Sequence, residues 1–129
     1  MKKLTLLFPA GIYSSKSDGG KRQYAVDEGT GDALGQADSL RLHFYTHRRD
    51  ATVVAALRLY ESSLSGPPDI KGKELSPPGG YVIGNNECQM ENVLGPFCGR
   101  LKAILEVEDD NTTNPMSITL EIGATLFFE

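Results

Sequence analysis

The sequence predicts an all-β fold, an antiparallel β-sandwich or jelly roll of about seven to eight strands joined by long loops. Apolar and polar residues alternate in two C-terminal runs, at 97–108 and 117–128. Shorter alternating runs occur earlier in the chain, and no segment has a convincing helical pattern. Alternation with a period of two places the apolar side chains on one face of a strand, which a second sheet must then cover.

The two C-terminal runs are predicted to pair as an antiparallel hairpin. Residues 109–115, which separate them, are Asp, Asn, Thr and Pro, and most of these residue types favour turns. The second run has one apolar side chain at every other position: Ile118, Leu120, Ile122, Ala124, Leu126 and Phe128. This hairpin is the strongest indication of the fold class.

Earlier strands are predicted at 4–8, 23–27, 39–47, 52–62, 81–83 and 87–93. The run at 39–47 has Leu40, Leu42 and Phe44 on one side, and the short link at 48–50 predicts a hairpin into 52–62. A helix over 51–60 is the alternative, because its apolar residues also fall at helical spacing. Residues 63–80 are rich in Ser, Gly and Pro and are predicted to be a long connection.

A chain of 129 residues is the size of one domain, and the prediction is a single domain overall. Within it, residues 1–37 are predicted to form an N-terminal strand and a Gly-rich loop at 29–36, and residues 38–129 the sandwich core. The N-terminus imitates a signal peptide only loosely, since its apolar segment is very short and Pro9 interrupts it.

Charge and hydropathy argue against nucleic acid and membrane as direct partners. The formal net charge is −4, and the basic residues form isolated pairs rather than a stripe. No apolar stretch approaches the roughly 20 residues that span a bilayer.

The sequence predicts no metal site and no cofactor. His43 and His47 lie four positions apart, which on a strand is about 13 Å, too far for one ion. The glycines at 29–35 depart from the dinucleotide-binding spacing. The turn Asp109-Asp110-Asn111 is predicted to be solvated, with calcium binding as the alternative because it supplies hard oxygen ligands.

No catalytic residues are predicted, and the protein is not expected to be an enzyme. There is no Gly-x-Ser-x-Gly nucleophile motif, and no set of side chains meets the requirements of an active site. The two cysteines, Cys88 and Cys98, are expected to be free thiols, with one disulfide left open.

Three apolar residues are out of phase with the buried faces predicted for their strands. These are Leu7, Ile104 and Phe127, and they are the candidate interface residues. Apolar side chains on outer faces predict a homo-oligomer.

From residue 38 onwards the chain resembles small β-sandwich proteins of tailed bacteriophages, especially head decoration or accessory proteins. The resemblance lies in the strand at 40–46, the link into 55–60, Glu61-Ser62-Ser63, the run at 95–105 and the closing strand at 117–128. It implies a non-catalytic, shell-stabilising component of a virion capsid, located in the virion or in the host cytoplasm during assembly. It also implies a homo-oligomer such as a trimer, with residues 1–37 as an arm that orders on assembly.

The alternative function is a carbohydrate- or other ligand-binding β-sandwich module. Such modules hold sugars on exposed aromatic faces. The chain has no Trp, so its candidates for sugar contacts are the tyrosines Tyr13, Tyr24, Tyr45, Tyr60 and Tyr81, of which Tyr45 and Tyr81 are the ones to mutate.

Overall fold

The computed structural model describes residues 1–16, 20–50, 52–62, 72–84, 88–97, 99–109 and 116–129. The strands are β1 (Lys2–Ser14), β2 (Lys21–Ala25), β3 (Ser39–Arg49), β4 (Val54–Ser62), β5 (Tyr81–Val82), β6 (Gln89–Leu94), β7 (Arg100–Glu108) and β8 (Ser117–Phe127), and the helix is α1 (Glu28–Gly35). The strands form two four-stranded sheets, the front sheet with order β1-β8-β3-β6 and the back sheet with order β2-β7-β4-β5. The predicted all-β sandwich is confirmed.

The strand order follows from one long hairpin rolled up on itself. Strands β1 and β8, β2 and β7, β3 and β6, and β4 and β5 pair antiparallel, so the chain doubles back between β4 and β5. Successive pairs then alternate between the sheets, and rolling adds the β3–β8 and β4–β7 contacts. This topology is a jelly roll.

Both hairpins predicted from the sequence were wrong, although their strands exist. Strands β7 and β8 lie in different sheets, and so do β3 and β4. A strand that crosses to the opposite sheet still turns its apolar side chains towards the same core. Alternation therefore identifies the buried face of each strand but not its hydrogen-bonding partner.

The core lies between the sheets and is built from the alternating side chains. Phe44 on β3, Leu57 on β4, Leu105 on β7 and Ile122 on β8 are all fully buried. Residues 54–62 form strand β4, with Ala55, Leu57 and Leu59 pointing inward, so the helical alternative for 51–60 is excluded.

The Gly-rich loop predicted at 29–36 was wrong, because Glu28–Gly35 form helix α1. Asp27 caps the helix: its side chain accepts a hydrogen bond from the Thr30 backbone N–H at 2.7 Å, which holds the pKa of Asp27 below its ordinary value. Leu34 enters the core, while Gly31 and Gly35 lie against the backbone of residues 99–101. Close packing against this backbone explains Gly31 and Gly35.

The N-terminal residues are part of the sandwich. Strand β1 pairs with β8 along most of its length, with register shifts between Leu6 and Phe8 and between Phe8 and Gly11. No helix among the described residues is long and apolar enough to cross a membrane. The predictions on a Cys88–Cys98 disulfide and on calcium at Asp109-Asp110-Asn111 involve Cys98, Asp110 and Asn111, which lie outside the described residues.

Candidate interaction face

The outward-facing side of the front sheet, called the front face below, carries most of the exposed apolar side chains. Six of the nine large hydrophobic residues that are exposed in the described part of the chain lie on it: Leu4, Leu6, Ile12, Tyr45, Met90 and Leu94. Clustered apolar exposure of this kind is typical of interaction surfaces.

The register of the front sheet arranges these residues in rows that cross all four strands. One row runs from Leu6 through Gly123 and His43 to Met90. The apolar side chains of β1 and β6 therefore form the two edges of the front face, and the residues of β8 and β3 form its centre.

Two polar side chains at the centre, those of Arg41 and His43, have hydrogen-bond partners on neighbouring strands. Arg41 donates from Nε to Oδ1 of Asn92 at 3.2 Å, and its guanidinium lies 5.6 Å from the ring centroid of Phe127. His43 Nε2 and Thr125 Oγ1 are 2.8 Å apart. Polar groups that keep their hydrogen bonds are much less costly to remove from water than unpaired ones.

A shallow depression of about 330 Å³ opens on the front face where Gly123 supplies no side chain. Leu4 and Leu6 form one wall, and His43, Tyr45 and Glu121 line the rest. The depression has room for the side chain of a partner protein or for a sugar ring.

The outward-facing side of the back sheet, the back face, is dominated by ion pairs instead. The carboxylate of Glu106 is 2.7 Å from Arg58 Nε and 3.5 Å from Lys21 Nζ, and it accepts a hydrogen bond from Gln23 at 2.8 Å. Arg58 also contacts Glu74 at 3.1 Å. The two faces of the sandwich therefore differ sharply in chemistry.

We expect Glu106→Gln to lower the free energy of unfolding at pH 7 by about 1.5–3 kcal/mol, the usual contribution of a hydrogen bond to a charged group. Burial alone raises the pKa of Glu106, but the hydrogen bonds from Arg58 and Gln23 and the nearby positive charges outweigh it and hold the pKa below its ordinary value of 4.5. This contribution is present above pH 4.5 and is lost as the pH falls through the folded-state pKa. Urea unfolding at several pH values should show the difference from wild type shrinking in acid.

Glu108→Gln is the matched control for that experiment. Glu108 lies on the same strand and the same face. Its side chain is half exposed, and its contact with Lys21 is long, at 4.0 Å. Its replacement should change stability by less than about 1 kcal/mol, as for other surface pairs. Equal losses for the two variants would contradict the role assigned to Glu106.

The structure buries two of the three predicted interface residues within the single chain. Leu7 is 7% exposed and belongs to the core, and Ile104 is 3% exposed on the back face beside Arg58 and Ala25 in the sheet register. Phe127 is half-buried on the front face. Assigning Leu7 to a polar face was wrong, because the register shift after Leu6 turns Leu7 and Phe8 both inward. A subunit contact through Phe127 stays a prediction.

Sequence reasoning missed the exposure of Leu4, Leu6, Met90 and Leu94. For β1 a signal was available: Pro9 lies inside the strand, and proline inside a strand marks an edge or a bulge. A bulge reverses the phase of alternation, so the apolar residues before it point to the opposite side.

His47 and Tyr81, two other residues considered in the sequence analysis, are not brought to a common point. His47 is exposed, and Tyr81 packs against the core, where burial and the charge of Glu91 raise its pKa. Within the part of the chain that the structure describes, no group of three or more His, Cys, Asp or Glu side chains could hold a metal ion.

No family model and no curated protein sequence matches the chain. Among solved structures, it is similar to a chain from infectious bursal disease virus strain Gx, with a TM-score of 0.56, 14% identity and coverage of 98% of this chain and 32% of the viral one. For strain Gt the TM-score is 0.51 with 11% identity, and the coverage is 97% and 32%. A structure of TmCBM61 with β-1,4-galactotriose has 16% identity and coverage of 92% of this chain and 67% of that one. Its TM-score is only 0.34, which is too low to show a shared fold. This chain thus spans about a third of the viral chains, and the similarity shows the fold alone.

Proposed function

We propose that the protein is a non-catalytic structural component of a virus particle, of the kind that decorates or stabilises the shell. It would act through the front face, which would bind another chain within the shell. The observation that carries this proposal is the concentration of exposed apolar side chains on the front face, while ion pairs occupy the back face. An exposed apolar patch of this kind is typical of protein–protein interaction sites.

Two further observations support a shell role. The jelly roll is a recurrent fold of viral capsid proteins. The chain also matches part of a virus structure over nearly its whole length. The same proposal includes two finer points. The protein would be a bacteriophage decoration protein, and it would be located in the virion or in the host cytoplasm during assembly.

The direct test is to purify virus particles, from the source that encodes this chain, on a density gradient and to analyse them by mass spectrometry. We expect the chain to sediment with the particles in a fixed ratio to the main shell protein. Leu4→Glu on the front face should reduce incorporation at least tenfold, whereas Val82→Glu on the back face, opposite Ala56, should not. A chain found only in the soluble fraction would contradict the shell role.

A sugar-binding role is the second candidate, and the depression above Gly123 favours it. Tyr45 is 47% exposed at its rim, with the Glu121 carboxylate beside it. Aromatic rings stack on sugars, and carboxylates accept hydrogen bonds from their hydroxyls. Retention on a glycan array that is lost in Tyr45→Ala would support this role over the first, and no retention of any glycan would exclude it.

A further inference from the structure

We infer that the front face is self-complementary and that its occupant is a second copy of this chain, related by a two-fold axis parallel to β8 and β3. The inference rests on the proposed interaction role of the front face and adds the partner and the arrangement. Two-fold contacts of this isologous kind are the commonest in soluble oligomers.

The outward side chains of the two central strands are complementary in size in two of the rows. In one row Phe127 of β8 lies beside Ser39 of β3, and in another Gly123 of β8 lies beside His43 of β3. Each of these rows pairs a large side chain with a small one. An axis between β8 and β3 places β8 of one copy over β3 of the other, so in these two rows each large side chain faces a small one.

In one row the two edges of the front face also match. The same axis places β1 of one copy over β6 of the other. Leu6 and Met90 belong to a single row and are 52% and 56% exposed, so each would cover the other across the interface. In the row of Glu121 and Tyr45, the carboxylate of one copy would face the phenol hydroxyl of the other and could accept its hydrogen bond.

Desolvation and area are compatible with such a contact. Arg41 and His43 keep their hydrogen bonds to Asn92 and Thr125 when the face is covered, so these two side chains lose no partner. Four strands and five rows of outward residues cover about 19 by 27 Å, or roughly 1,000 Å² summed over two copies. That is about the lower limit for a specific interface. We therefore expect an association that depends on protein concentration.

The arrangement of apolar edges around a polar centre also favours a protein over a lipid surface as the occupant. A lipid surface would favour a continuous apolar patch with a basic rim. The centre of the front face instead carries Glu121 and the paired Arg41, which suit a protein surface of matching pattern.

Sedimentation equilibrium over a wide concentration range tests the inference. Wild type should associate as a dimer, and Leu6→Glu and Met90→Lys should each weaken the association at least tenfold. The double variant L6E/M90K should recover most of the loss, because the axis brings the two new charges together twice in each dimer. Within one chain these positions are three strand spacings apart, about 14 Å, so an internal ion pair would not explain recovery.

Val82→Glu on the back face is the matched control, since Val82 is 58% exposed and should tolerate the charge without effect on association. A wild-type monomer at every concentration, a trimer, or a double variant as weak as the singles would overturn the inference. The shell role is tested separately, by the composition of purified virus particles. Sedimentation can therefore disprove the dimer without disproving the shell role, and the reverse.

Discussion

Gly35→Ala is expected to lower the free energy of unfolding by about 3 kcal/mol, the upper part of the usual range for overpacking. A Cβ atom at this position would overlap the carbonyl oxygen of Gly99 and lie 2.9 Å from Cα of Arg100. Both obstacles are backbone atoms at the start of β7, which cannot move aside without disturbing the back sheet. Urea unfolding monitored by circular dichroism would measure the loss.

Gly29→Ala, at the beginning of the same helix, provides the control. The nearest atom to a Cβ there is Oδ1 of Asp27, at 3.6 Å, which is an ordinary contact. Alanine is favoured over glycine within helices by about 0.5–1 kcal/mol, so this variant should be neutral or slightly more stable. Similar unfolding midpoints for the Gly35 and Gly29 variants would contradict the close packing of α1 on β7.

Phe44→Ala is expected to lower the free energy of unfolding by about 3–5 kcal/mol, the range for removing a phenyl ring from a core. Phe44 is 1% exposed and lies on β3, which has a hydrogen-bonded strand on each side. Its neighbours cannot close the cavity without shifting both of those strands. Thermal or urea unfolding at low protein concentration would measure the change.

Tyr45→Ala is the matched control, because Tyr45 follows Phe44 directly and points to the front face. Its loss should change stability by less than about 1 kcal/mol, as for most surface substitutions. If the tyrosine variant lost as much stability as the phenylalanine variant, the assignment of the two faces of β3 would be wrong.

The alternation of residues was sufficient to predict which side chains enter the core. Leu40, Leu42 and Phe44 point inward from β3, as the period of two required, and the same holds for Ile118 and Leu120 on β8. Burial of apolar surface is a local demand that each strand meets in the same way whichever strand lies beside it. For this reason the fold class could be predicted although the pairing of the strands could not.

Helix α1 escaped prediction because its sequence is a poor helix former in isolation. Three glycines in Glu28–Gly35 reduce its intrinsic preference for helix. Its stability comes from the Asp27 cap, from burial of Leu34, and from a close approach to β7 that only glycine allows. Contacts far apart in sequence outweighed local preference.

The candidate interaction face shows the same division. Composition and charge were enough to indicate an acidic domain with no basic stripe. Which residues form the front face was decided by tertiary structure. A register shift in β1 reversed the phase of Leu4, Leu6 and Leu7. Strands β3 and β8, far apart in sequence, pair to form the centre. Periodicity is a property of one strand, whereas a surface is formed by several strands whose order and register are set by packing around a common core.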